Sequence, residues 1–243
     1  MDAEPPPADP SAQDRLQGPF TVGVEHSPEA FLTRLPVGRH GLPRDFIEEN
    51  QRNRLMAAAL EVFADRGYAT VSVADVIKVA GVSRNTFYAY FADKEACFLA
   101  TYDVVAAWLT ERAAAAAGDA DAWAPAVIAV IDTLTSLLAA DPRLARLCTV
   151  DVYQVGAPAA RRHEDLIERL TRALRAGRSA GSRGAELPPV LDAILVGGVV
   201  SLVARWVNTG EGDRLAELAP ELSEALLAPY LGRAAVRELL TGL

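Results

Sequence analysis

Cysteine, histidine and lysine are scarce in this chain. The two cysteines, Cys97 and Cys148, cannot build a disulfide framework, and neither stands in a CxxC or Cys/His spacing that would hold a metal. The three histidines lie far apart in sequence and no nucleophile motif such as GxSxG occurs. The usual metalloenzyme and hydrolase constellations are thereby excluded, and neither an enzymatic role nor a cofactor is expected. Cationic charge is short as well: 24 Lys and Arg stand against 32 Asp and Glu, for a formal net charge of -8. Contact with a polyanion must then come from a local basic surface, not from bulk attraction. The longest apolar run, 193–204, is shorter than the ~18 to 20 residues that span a bilayer, so no membrane partner is expected. No segment alternates with the period of two that strands require. The opening MDAEPPPADPSAQD is acidic and proline-rich where an export signal is cationic and then apolar, which points to the cytoplasm.

What remains is a chain of 243 residues, 51 % hydrophobic, able to bury a sizeable core. Residues 1–43 hold eight prolines with little periodicity and read as a flexible leader, ending in a basic arm of Arg34, Arg39, His40 and Arg44 free of acids. From 44 to 66, Leu55, Ala59 and Phe63 recur at i, i+4 and i+8, and Gly67 follows as a stop, so a helix is predicted there. Ser72 precedes a second, short helix that ends at Gly81, and Ser83 caps a third carrying Phe87 and Phe91 on one side. A long helix follows Asp93-Lys94-Glu95 to about residue 117. Further helices are predicted over 123–140, 142–150, 158–177 and 188–209, with a broken stretch over 214–240. The fold class is all-α, divided as a leader (1–43), a helix-turn-helix unit (44–93) and a helical body (94–243).

Two short helices joined through Ala80-Gly81-Val82 have the layout of a helix-turn-helix. The turn Gly81-Val82-Ser83, then Thr86, Phe87, Tyr88, Tyr90 and Phe91, and finally Lys94-Glu95, resemble the DNA-binding domain of the TetR family of transcription regulators. The resemblance implies an all-helical homodimer, usually a repressor released from its operator by a small ligand. Ala89 departs from the pattern, since some members place a second tyrosine there.

The residues themselves support a DNA-facing surface. With Phe87 and Phe91 inward, Arg84 and Tyr88 share a second face and Thr86 and Tyr90 a third. Ser72, Ser83, Thr86, Tyr88, Tyr90 and Lys94 suit phosphate oxygens, while Arg84 and Asn85 can reach base edges. Arg39 and Arg44 are expected in the minor groove or on phosphates. In the body, Trp108, Trp123, Asp132, Asp151 and Tyr153 are the candidate effector contacts, Asp132 foremost because an acid within Val127-Ile-Ala-Val-Ile-Asp-Thr-Leu needs a partner. His163 reads as ordinary surface. Gly197 and Gly198, with Leu202, are expected at a dimer interface, where close backbone approach offsets the lost helix propensity. The expected partners are therefore operator DNA, an apolar or aromatic small molecule and a second copy of the chain. The alternative is a DNA-binding dimer controlled by a protein partner or by nothing, and cavity volume separates the two.

Overall fold

The computed structural model describes residues 44–118, 120, 122–180 and 183–241. Arg39 lies outside the described residues, as does the side chain of Arg44. The chain is helical throughout, and among the described residues there is no strand. Helix α1 (Arg44–Arg66) leads through a 3₁₀ turn, Tyr68–Thr70, to α2 (Val73–Ala80) and α3 (Arg84–Tyr90). The long α4 (Lys94–Gly118) is followed by α5 (Trp123–Ala140) and α6 (Pro142–Arg146). Then come α7 (Ala157–Arg175), α8 (Leu191–Asn208), α9 (Ala219–Leu231) and α10 (Arg233–Thr241).

Local chemistry explains the short N-terminal helices. Ser72 and Asp75 form a reciprocal capping box at the start of α2, and Gly81 closes that helix in the left-handed region at φ 63°. Ser83 caps α3 by accepting from the Thr86 amide at 3.0 Å. The guanidinium of Arg54 donates to the Ala80 carbonyl at 2.6 Å, tying α1 to the end of α2.

Two predicted helices differ from those observed. The helix expected over 142–150 is α6 followed by a π-helical turn, Leu147–Asp151, and a final turn, Val152–Val155. The wider turn carries Cys148 and Asp151 to different neighbours, as described below. The helix expected from 188 begins at Leu191, since Pro189 disfavours the helical region at Pro188, and the carbonyls of Leu187 and Pro188 accept from Arg178 at 2.7 and 2.6 Å.

The main hydrophobic core does not stop where the N-terminal unit ends. It runs from Leu55 and Phe63 in α1 through Phe87 and Phe91 to Phe98, Tyr102 and Leu109 in α4, then to Leu144, Cys148 and Ala159. At its centre Phe63, Tyr68 and Phe98 pack mutually with ring centroids 5.3 to 5.5 Å apart. Contrary to the expectation from the 193–204 run, α5 and α8 are each long and apolar enough, by length and composition, to cross a membrane. Here both pack in the helical body and turn one face to an internal cavity.

Candidate nucleic-acid interface and effector cavity

Helix α3 presents the surface the sequence pointed to. Phe87 is fully buried and Phe91 nearly so, which fixes the rotation of the helix. Ser83, Arg84, Asn85 and Tyr88 are then exposed, while Thr86 is half-buried with its hydroxyl 2.8 Å from that of Ser83. Arg84 donates to the Tyr88 hydroxyl at 3.4 Å and lies 5.5 Å from its ring centroid, so the two form one unit. Ser72 is exposed beside them, its hydroxyl serving the capping box.

Two expected contacts take on other work. Tyr90 is half-buried and donates to Gln51 Oε1 at 3.2 Å, holding α3 against α1. Lys94 turns inward: its ammonium donates to the carbonyls of Tyr68 and Val71, both at 2.8 Å, and sits 4.0 Å from the Tyr68 ring centroid. The Tyr68 carbonyl also accepts the Val71 N–H at 3.4 Å, so the ammonium adds a charged donor at the 3₁₀ turn, and burial lowers its pKa. Lys94 is thus first a positioning residue of the head.

Within the body, α4, α5, α7 and α8 enclose a cavity of about 310 Å³, with Cys148, Thr149 and Leu226 completing its wall. Its end near the N-terminal unit is walled by Leu109, Leu138, Cys148 and His163, and its far end by Ala117, Trp123, Leu174 and Leu226. The lining run from His163 to Leu174 extends roughly 16 Å along α7, so the cavity is a tube elongated along that helix and open on one side. Thr110 and Ala173, the exposed members of the wall, put its opening between α4 and α7.

Of the expected effector contacts, Trp123 alone lines this tube. Trp108 packs at the edge of the main core under the Arg112 guanidinium, one residue and hence about 100° of helical rotation away from Leu109. Asp132 is exposed: Ile131 and Thr135 turn into the tube, and the acid between them faces water. Its apolar neighbours in sequence are not its neighbours in space. Tyr153 is 62 % exposed and lies edge-on to His163, centroids 5.0 Å apart.

Asp151 is fully buried, but at the joint between the N-terminal unit and the body, with Arg146 Nε 3.6 Å away and neither oxygen hydrogen-bonded. Burial pushes its pKa up to about 6, against the pull of Arg146 and the nearby Tyr68 backbone. His163, expected at the surface, is buried in the tube wall with Nδ1 3.4 Å from the Tyr102 hydroxyl, and burial lowers its pKa. Its flanking charges masked this, since the α7 stripe of Ala159, His163, Leu166 and Leu170 is the signal that finds it.

A buried polar cluster closes the far end. Asp192, fully buried, accepts from Arg175 Nε and Arg178 Nε, both at 3.1 Å, and from the Tyr230 hydroxyl. The Tyr230 ring meets Trp123 edge-on at 5.2 Å. At the expected dimer positions, Gly198 is exposed and Gly197 half-buried, and a Cβ on either would meet nothing within 4 Å among the described residues beyond its own turn of helix. Leu202 instead turns partly inward, against the small core of Ala145, Leu215, Leu218 and Leu222.

Residues 55–101, which run from the second half of α1 through α2 and α3 to the start of α4, match the family model of bacterial regulatory proteins, tetR family. The chain carries a segment similar to the helix-turn-helix DNA-binding domain of the tetR family of transcription regulators. The fatty acid metabolism regulator protein of Bacillus subtilis is 24 % identical over 180 residues, 72 % of this chain and 93 % of that protein. Among solved structures, the fatty acid degradation regulator FadR of Bacillus halodurans superposes with a TM-score of 0.66 at 22 % identity, over 73 % of this chain and 94 % of its own. FadR of Bacillus subtilis in complex with stearoyl-CoA gives a TM-score of 0.61 at 24 % identity, over 72 % and 97 %. At these identities the structural likeness is one of fold. The tetR relatives are transcription regulators and not enzymes, and among the described residues no His, Cys, Asp and Glu cluster could hold a metal.

Proposed function

We propose that this regulator is a homodimeric repressor acting in the cytoplasm, which reads a palindromic operator through α3 and leaves it when an aliphatic acyl chain enters the tube. The observation that carries this reading is the tube itself, apolar, elongated and walled by α4, the helix whose first turns pack in the core under α3. A cavity at the lower end of the usual ligand range, about 300 to 1,000 Å³, favours it over a solid-cored dimer under other control. A fold relative solved with stearoyl-CoA fits the same chemistry. In this reading residues 44–93 are the reading head, 94–243 the sensing and dimerising body, and 1–43 a leader whose arginines reach the groove. Arg84 and Asn85 read base edges, and Ser72, Ser83, Thr86 and Tyr88 hold phosphates.

The test is to select operators from a random duplex pool and titrate the complex with stearoyl-CoA. Operator affinity should fall roughly 5- to 150-fold, and by linkage operator should weaken the ligand equally. Equal ligand affinity with and without saturating operator removes the switch.

Two variants separate reading from positioning. Arg84→Ala should cost about 1 to 3 kcal/mol at the selected operator and relax its sequence preference. Lys94→Met should instead lower the thermal stability of the head, by about 2 kcal/mol, because the Tyr68 and Val71 carbonyls lose a charged donor. Wild-type operator binding by Arg84→Ala in a salt titration, or an unchanged melting curve for Lys94→Met, refutes the respective assignment.

The dimer reading rests on α8. Val190 and Ile194 are 58 % and 59 % exposed beside two glycines that no packing among the described residues requires. Gly198→Arg should give a folded monomer that has lost tight operator binding, since two heads must be tied together to read half-sites ~34 Å or a multiple apart. Sedimentation at micromolar concentration checks it, and a monomeric wild type would end this reading.

A further inference from the structure

We propose that the Trp123 ring is a fixed stop for the effector's aliphatic tail, so that the tube takes in about 13 carbons of chain and leaves the rest, with any charged head, outside. This rests on the tube being the effector site.

The wall sets the direction of the chain. Thr110, Thr135, Cys148, Thr149 and His163 all stand in the half of the tube nearer the N-terminal unit. The threonine hydroxyls donate to the Ala106, Ile131 and Ala145 carbonyls of their own helices, each at 2.7 Å, so they mark that half without offering a free donor. The far half ends in Ala117, Leu174, Leu226 and the carbon face of Trp123, whose Nε1 is itself buried. An amphiphile therefore lies with its tail toward Trp123, where the wall is pure hydrocarbon. No Asp, Glu, Lys or Arg lines the tube, which keeps a charged head out of it.

The far end is also braced from behind. Gly177 is buried and packs so close that a Cβ there would overlap the Trp123 ring. Tyr230, fully buried and hydrogen-bonded to Asp192, meets the same ring edge-on. The indole has no room to retreat toward either neighbour, so a chain end meets it as a wall and not as a hinged flap. Length then follows from the helix beside it. The lining run from His163 to Leu174 is roughly 16 Å long, and an extended chain advances roughly 1.2 Å per atom, so about 13 carbons fill it. Up to that length every added methylene leaves water. Beyond it, added carbons stay outside through the open side and gain nothing.

The experiment measures straight-chain primary alcohols from octanol to octadecanol, by displacement of a fluorescent aliphatic probe from the full-length protein. The hydroxyl is common to the series, so the increments report methylenes alone. In wild type, affinity should rise about three- to fourfold per carbon and stop rising near 13 carbons. Trp123→Ala should carry the rise further at the same increment, so that hexadecanol binds at least about tenfold more tightly than to wild type. Because that variant removes part of the wall, a second one leaves Trp123, Gly177 and Tyr230 in place. Ala126, three residues and roughly 4.5 Å along α5 from Trp123, also lines the tube, and Ala126→Leu should bring the break down to about 9 carbons. A wild-type rise that continues through hexadecanol, or a break that either variant leaves unmoved, overturns the stop and leaves the tube standing as the effector site. Failure of every alcohol to bind overturns the tube as well.

Discussion

Asp192→Ala is expected to destabilise the protein by about 3 to 5 kcal/mol, seen as a lower urea midpoint with an unchanged slope. The carboxylate is fully buried and serves three donors at once: Arg175, Arg178 and Tyr230. Arg175, with 48 % of its side chain exposed, can turn to water when the acceptor goes. Arg178 cannot, because only 21 % of its side chain is exposed and its other nitrogens are fixed to the carbonyls of Leu187 and Pro188. The variant thus leaves a partly buried cation and a buried hydroxyl without their acceptor, which is why removing one partner costs more than the pair contributes. Burial pushes the Asp192 pKa up, but the hydrogen bonds from Tyr230, Arg178 and Arg175 outweigh it and hold the carboxyl below its ordinary range. The group's contribution is therefore present above the ordinary carboxylate pKa and is lost as pH falls. Asp192→Asn, which keeps an acceptor for Tyr230, should cost less. A loss under 1 kcal/mol for the alanine variant would mean that the cluster does not hold the end of the tube.

Asp151 should behave in the opposite sense. Its folded pKa of about 6 lies above the ordinary 3.8, so the fold favours the protonated acid. Stability from this group is fully present below pH ~4 and is lost as pH rises through 6, a change of about 3 kcal/mol. Asp151→Asn removes that dependence. The variant should match wild type near pH 4 and exceed it at pH 7.5 by up to about 3 kcal/mol, measured by denaturant unfolding across the range. Identical pH dependence in the two proteins would refute a buried acid at this joint. A gain in stability should also stiffen the contact between Asp151, Arg146 and the turn at Tyr68, so operator release by ligand is the companion measurement.

The N-terminal unit could be read from sequence because its signals are local. Ser72, Gly81 and Ser83 act on their own helices, and Phe87 and Phe91 at i, i+4 fix which side of α3 faces out. The inward turn of Lys94 has no local signal, because its acceptors, the Tyr68 and Val71 carbonyls, lie 26 and 23 residues away and belong to a turn with no sequence signature. The body was legible as helices but not as a site. A tube wall is made by elements far apart in sequence, and its members are Ala, Val and Leu, the same types that fill any core. Unusual residues such as Asp132 and Trp108 drew the reading toward positions one step of helical rotation from the wall. His163 was hidden by its charged flanks, and Asp192 by its place at the start of an apolar helix, although the buried carboxylate proves to be the hub of the far end.

The continuity of the main core sets a rule for building hybrid regulators from this protein. A chimera cut at 93/94, the proposed boundary between head and body, would sever Phe63 and Tyr68 from Phe98 and Tyr102 and leave an aromatic seam facing a foreign body. The transplantable unit is larger than the part that touches DNA: it includes α4 as far as Leu109 and brings with it the Leu144 to Val152 segment that packs on the same core. The surface proposed to read DNA and the tube proposed to hold ligand are therefore not separable cassettes here. They share one interior, and a graft must carry that interior whole.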